Sequence, residues 1–210
     1  MDLGAPQYPV HLLLEGRRCL VVGGGPVAAR KAESLLGCGA VVHVIAPDVG
    51  DEIRALPLTI DERPYRHGDA DGYRLVVTAT DDPDVNRAVY LDGEAAGVWV
   101  NGADDPAHCS VTLPSVLRRG DVVVTVGTAG RSPALARWLR DRLAGDVGPE
   151  YEVLLDLLAD ARASVKADGR STEAVDWQRA LDSDMLDLIR NGQVAEARER
   201  LQACLSSSSD

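Results

Sequence analysis

A run of strand-forming residues, Cys19 to Val22, breaks into three glycines and then into Pro26-Val27-Ala28-Ala29-Arg30-Lys31. Gly23 and Gly25, followed by a small residue at Ala28, have the G-x-G-x-x-A spacing. In that spacing the first glycine supplies a tight turn, the next lets backbone approach phosphate, and the small third residue lets a helix pack closely on a strand. A helix opening at such a turn offers free N–H groups and a positive dipole end, which suits the pyrophosphate of a dinucleotide. Gly23, Gly24, Gly25, Pro26 and Val27 are the candidate contacts, although a merely tight strand-to-helix turn would use the same glycines. Asp48 lies about 20 residues further on, where an acidic side chain accepts from a ribose 2′-hydroxyl and repels a 2′-phosphate, favouring NAD over NADP. The same carboxylate could equally cap the helix that follows it.

The elements around the turn alternate as a doubly wound fold requires. Leu20 to Val22 reads as a strand, Val27 to Leu36 as an amphipathic helix stopped by Gly37 and Gly39, and Val41 to Ala46 as a second apolar strand. Pro47 ends that strand, Asp48 to Leu56 can form a short helix, and Leu58 to Ile60 is a further apolar stretch. Leu75 to Ala79 is the continuous apolar run of a parallel strand buried on both faces; Asp82 and Pro83 open a helix to about Glu94, and Val98 to Asn101 forms the fifth strand. Ligands of such sheets bind beyond the carboxyl ends of the strands. This groups the glycine turn with Pro47, Asp48, Thr80, Asp81 and Asn101 as candidate cofactor contacts, and brings Asn101 to Asp105 to the same crevice.

A second candidate anion site follows outside this core. Val111 to Leu117 and Val122 to Val126 read as strands joined by a polar turn, Arg118 to Asp121. Next comes Gly127-Thr128-Ala129-Gly130-Arg131-Ser132-Pro133, in which Ser132 can cap and Pro133 can open a helix over Ala134 to Leu143. Thr128, Ala129, Gly130, Arg131, Ser132 and Arg137 could hold the carboxylates of a substrate there; a well-capped structural helix is the other reading. Beyond a boundary at Gly145 to Pro149 the chain is helical, with Val153, Leu157, Ala161 and Val165 on one face, further short helices through Ile189, and a last one over Val194 to Leu205. Ser206 to Ser209 is a polar tail expected to be disordered. The domains expected are residues 1–109, 110–145 and 146–205, with 206–210 as tail.

Bulk properties exclude several classes. A net charge of -11 opposes nonspecific binding to nucleic acid or anionic lipid, so any anionic ligand needs a local basic pocket. Cys19, Cys38, Cys109 and Cys204 are scattered without CxxC spacing, and no signal peptide or long apolar span is read, which points to a cytoplasmic protein with reduced thiols and no membrane partner. His108, a lone histidine, makes no metal site by spacing, and no metal ligands are assigned.

Five segments in order, GGGPVAARK, TATDDPDVN at Thr78 to Asn86, NGADDP at Asn101 to Pro106, LPS at Leu113 to Ser115 and GTAGRSPALAR at Gly127 to Arg137, resemble the siroheme synthase family. The resemblance covers roughly residues 7 to 145 and is to the precorrin-2 dehydrogenase module, without the methyltransferase to which that module is fused in some members. It implies a Rossmann-type doubly wound parallel sheet followed by a small α+β dimerisation region and a C-terminal helical region. It further implies NAD-dependent oxidation of precorrin-2 to sirohydrochlorin and, in bifunctional members, insertion of ferrous iron as a substrate to give siroheme. The family forms intertwined homodimers. Its Asn-x-x-Asp aspartate falls on Asp104, which the resemblance implies is catalytic; by residue type alone Asp-Asp-Pro is ordinary turn chemistry. Asp105 stands where relatives often carry a small residue, and Thr128 where some carry a serine near the substrate. A dehydrogenase served by a separate chelatase and a non-catalytic NAD-sensing module are the alternatives.

Overall fold

The computed structural model describes residues 6–103 and 105–206. They divide into two units, residues 1–113 with 128–132 and residues 114–127 with 133–210. In the first unit β1 (Arg18–Val22), β2 (Val41–Ala46), β3 (Thr59–Glu62), β4 (Leu75–Thr78) and β5 (Trp99–Gly102) form one parallel sheet in the order β3-β2-β1-β4-β5. Strand order reverses between β1 and β4, the switch point at whose carboxyl-terminal side sheets of this kind bind their ligands.

Both faces of the sheet are covered, which explains why its inner strands read as unbroken apolar runs. Cys19, Val21, Val42, Val44, Leu75 and Val77 share a core with Ala28, Ala29, Ala32 and Leu35 of α1 (Pro26–Leu36). The alternate residues Leu20, Val22, Ile45 and Val76 pack on the opposite face with Val89 of α3 (Pro83–Ala96). Three alanines on α1 let its axis come close to the strands. The Asp82 side chain caps α3, accepting from the N–H groups of Asp84 at 2.9 Å and Val85 at 3.3 Å, and Pro83 follows at the first turn, where its missing N–H costs nothing.

One buried charge in α3 escaped the sequence reading. Asp92 accepts from Tyr65 Oη at 2.8 Å and the Gly68 N–H at 2.9 Å and contacts His67, tying the segment before β4 to the helix. Burial pushes its carboxyl up, yet the hydrogen bonds from Gly68 and Tyr65 and the neighbouring His67 outweigh this and hold it below the usual carboxylate range.

Two expected boundaries move. The helix expected over Asp48 to Leu56 is only α2 (Asp51–Arg54), because residues 48–50 are drawn against the glycine turn. The strand expected from Val111 begins instead at Ser115. Ser110 and Val111 both donate to the Val100 carbonyl, at 2.8 and 3.1 Å, so the chain there doubles back along β5.

In the second unit β6 (Ser115–Arg119) and β7 (Val122–Val126) form an antiparallel hairpin with Arg119 opposite Val122, so its loop is Gly120-Asp121 and the two arginines belong to the strand. The helices are α4 (Pro133–Asp146), α5 (Glu150–Ala167), α6 (Trp177–Leu181), α7 (Met185–Arg190) and α8 (Val194–Ser206). Leu154, Leu157 and Val165 of α5 meet Ala180, Met185, Ile189, Ala197 and Leu201 in a separate core. No helix among the described residues is long and apolar enough to cross a membrane.

Candidate functional site

Three loops converge at the carboxyl end of the sheet, and backbone contacts lock them together. Gly23 has φ of +133°, and a Cβ there would stand 2.3 Å from the Ala79 carbonyl oxygen just beyond β4. A Cβ on Gly24 would stand 1.8 Å from the Asp48 carbonyl oxygen just beyond β2. The Gly50 N–H donates to the Gly24 carbonyl at 3.0 Å, and the Gly23 N–H to that of Ile45 at 3.0 Å. The turn is thus wedged between the ends of β2 and β4. Gly24, given no special duty by the spacing alone, is the glycine with the least room; only the closeness of residues 48–50 could have shown it.

Gly25 differs. A Cβ there would meet nothing within 4 Å, and no side chain caps α1, whose first residue is Pro26 and second Val27. Open space above an uncapped helix start is what a pyrophosphate requires: the N–H groups stay available and the dipole end favours negative charge. The residues present therefore fit a dinucleotide. Pro47 and Asp48 are exposed beyond β2, and Asp48 has no ion-pair partner among the described residues. Its side chain does not cap α2, whose cap is Gly50.

On the β4 side, the Thr80 hydroxyl donates to Asn86 Oδ1 at 3.0 Å, and Asn86 Nδ2 donates back to the Thr80 carbonyl at 3.0 Å. This fixes the corner that carries the exposed Asp81. Asn101 is buried within β5, and its Nδ2 donates to the Val111 carbonyl at 2.9 Å, a bond that holds the returning chain. It lies one strand further from the glycine turn than Thr80, opposite Val77 in register.

The loop after β5 folds around a thiol. Cys109 Sγ accepts from the Gly102 N–H at 3.1 Å and donates toward the carbonyl oxygens of Asp105 and Gly102 at 3.2 and 3.4 Å. Burial pushes the Cys109 thiol up; the Gly102 hydrogen bond opposes this and the Asp105 charge adds to it, so the sulfur stays protonated and inert at neutral pH. Asp104 lies outside the described residues. Asp105 is committed elsewhere: its Oδ2 is 2.8 Å from His108 Nδ1, and the His108 ring meets Tyr90 edge-on at 5.6 Å. Among the described residues no group of three or more metal-ligating side chains is found.

The turn Thr128 to Ser132 closes on itself. Ala129 and Gly130 have φ of +51° and +74°, and the Arg131 N–H donates to the Thr128 carbonyl at 2.9 Å. Two successive positive φ values with that hydrogen bond follow the type I′ pattern. The Thr128 hydroxyl accepts from the Ser132 N–H at 3.2 Å and donates to the Ser132 carbonyl at 3.0 Å. Its bonding is therefore spent on the loop's own backbone. Arg131 and Arg137 are exposed and form no ion pair among the described residues.

Comparison with known proteins agrees with this geometry. The NAD(P)-binding family model NAD_binding_7 matches residues 10–115. The chain is 38% identical to the siroheme synthase of Chromobacterium violaceum over 201 residues, covering 93% of this chain and 43% of that protein. It is 37% identical to the siroheme synthase of Nitrosococcus oceani, with 95% and 44% covered. The chain thus spans less than half the length of these curated relatives. A solved structure, the precorrin-2 dehydrogenase SirC, superposes with a TM-score of 0.73 at 26% identity, covering 94% of this chain and 98% of SirC. With the glycine turn and this likeness in agreement, the chain belongs to the NAD(P)-binding family; it is similar over nearly its whole length to the siroheme synthases, of which it spans less than half.

Proposed function

We propose that this protein oxidises precorrin-2 to sirohydrochlorin, with NAD as hydride acceptor. The observation that carries this reading is the two-way match to SirC, which leaves almost nothing of either chain unpaired, together with the open Gly25 face at the helix start. When bound, NAD takes up a hydride at its nicotinamide ring; the second hydrogen leaves the tetrapyrrole as a proton. Asp104, the carboxylate that the family motif singles out in Asn101 to Asp104, is the group assigned to receive or guide that proton. Asp105, paired with His108, is the poorer candidate.

The substrate carries several carboxylates, and a chain of net charge -11 cannot attract them by its average field. Local donors must do so: on the turn of Thr128, Ala129, Gly130, Arg131 and Ser132 it is the projecting Arg131 that offers them, and on α4 the guanidinium of Arg137. Asp48 selects NAD by accepting from the ribose and repelling a 2′-phosphate, while Thr80, Asp81 and Asn101 shape the nicotinamide side. Assembly as a homodimer through residues 110–145 fits the hairpin and α4, where Val116, Leu135 and Trp138 are exposed apolar side chains and a two-stranded sheet leaves edges to be covered. In this reading residues 1–109 hold the cofactor, 110–145 the dimer contact and 146–205 a helical domain. Four cysteines, three of them buried, suit a reducing cytoplasm.

The test is anaerobic incubation with precorrin-2 and NAD, following NADH absorbance, with ferrous iron added afterwards to score siroheme. Wild-type protein should form NADH and sirohydrochlorin. Asp104→Ala should keep NAD affinity and fold while turnover falls by a factor on the order of 10². Absence of NADH formation by the wild type would overturn the proposal; near-wild-type turnover in Asp104→Ala would remove that residue from the oxidation.

A further inference from the structure

The ribose end of the crevice holds a cation that the NAD reading leaves unexplained. Arg54 lies on α2, just past Asp48, and its backbone N–H donates to the Gly50 carbonyl at 3.2 Å. Its Nε donates to the Val49 carbonyl at 3.2 Å, which brings the guanidinium against the residue next to Asp48. An arginine at this corner is the ordinary device for receiving a 2′-phosphate, because its planar donors match phosphate oxygens in pairs. Here its outer nitrogen is taken. Arg54 Nη2 is in direct contact with Glu62 Oε1, the carboxylate on the last residue of β3.

The register of the sheet explains the encounter. Glu62 stands opposite Ala46, the last residue of β2, so both strands end level, and Asp48 and Glu62 project beyond the same edge of the sheet. Arg54 pairs with Glu62, and Asp48 is left without an ion-pair partner among the described residues. The division has a chemical consequence: Asp48 keeps its lone pairs for a ribose hydroxyl, and Arg54 is held where its charge is already balanced.

We infer that Glu62 is a specificity-determining residue: by holding Arg54 on the β3 side it denies a 2′-phosphate its cation and so sharpens the choice of NAD over NADP. This rests on the dinucleotide reading above. It adds to the repulsion from Asp48 and acts through a different pair of side chains, so the two contributions can be separated. Both Glu62 and Arg54 are exposed, and removing one carboxylate there disturbs no core packing.

Calorimetric titration of the purified chain with NAD and with NADP tests it, using wild type, Glu62→Gln, Arg54→Ala and the double variant. In Glu62→Gln the affinity for NADP should rise roughly fivefold, the scale of a partly exposed charge-assisted contact, while that for NAD stays within about twofold. Adding Arg54→Ala should cancel the gain, since the freed guanidinium is its source. Arg54→Ala alone should leave the NAD to NADP preference where the wild type has it. An unchanged preference in Glu62→Gln, in a protein that still binds NAD, would overturn the role of Glu62 and leave the cofactor assignment standing. A gain that survives Arg54→Ala would overturn it as well, by tracing the effect to lost negative charge alone. A wild type that binds neither dinucleotide would remove both readings together.

Discussion

The turns that open α1 and α4 are alike in sequence and unlike in how they are held. Each has glycines, then a proline at the first helical position. At residues 23–25 the restraint comes from outside, from the backbone of Ala79 and Asp48, and the face at Gly25 is left open. At residues 128–132 it comes from inside, from the Thr128 hydroxyl and a turn with two positive φ values. A turn clamped by neighbouring strands can keep its own N–H groups for a ligand. A turn that satisfies its own groups must rely on what projects from it, here Arg131.

The largest effect should follow from breaking the outer clamp. Gly24→Ala places a methyl where only backbone fits, and the strands cannot retreat without opening the sheet; a loss of about 3 kcal/mol in urea unfolding is expected. Stability equal to wild type would mean that the close approach to Asp48 is not rigid. Gly25→Asp should act oppositely, leaving stability within about 0.5 kcal/mol, as at an open surface position. Its dinucleotide affinity should nevertheless drop by at least roughly tenfold, because a carboxylate replaces the anion's space. Retained affinity would show that the open face is not the phosphate site. The smallest effect should come from Thr128→Val, which keeps the shape and removes the hydroxyl: about 1 kcal/mol, the net worth of an intramolecular hydrogen bond. If precorrin-2 affinity in that variant fell far beyond what the lost stability explains, the Thr128 hydroxyl would have a ligand of its own, and the contrast between the two turns would narrow.

Residue order alone determined a good deal. The period of apolar residues, the stop at Gly37 and Gly39 and Asp82-Pro83 at a helix start were sufficient for the alternation of strand and helix through β5, because each signal acts within a turn or two of chain. The glycine spacing likewise announced a tight turn opening straight into a helix, which the extended Gly25 and Pro26 at the first helical position bear out. What could not be read were matters of distance between segments far apart in the chain. The tightness at Gly24 depends on Asp48; the shortening of α2 depends on the same contact; the start of β6 depends on Val100 receiving Ser110 and Val111. The buried Asp92 is intelligible only once Tyr65 and Gly68 stand over it, since an aspartate in a helix ordinarily faces water. Local propensity and pattern are carried by neighbours in sequence, and they determined the elements and the candidate turns. Which carboxylate pairs, which glycine has room and which hydroxyl is already spent are decided by close packing, and only the tertiary structure brings those partners together.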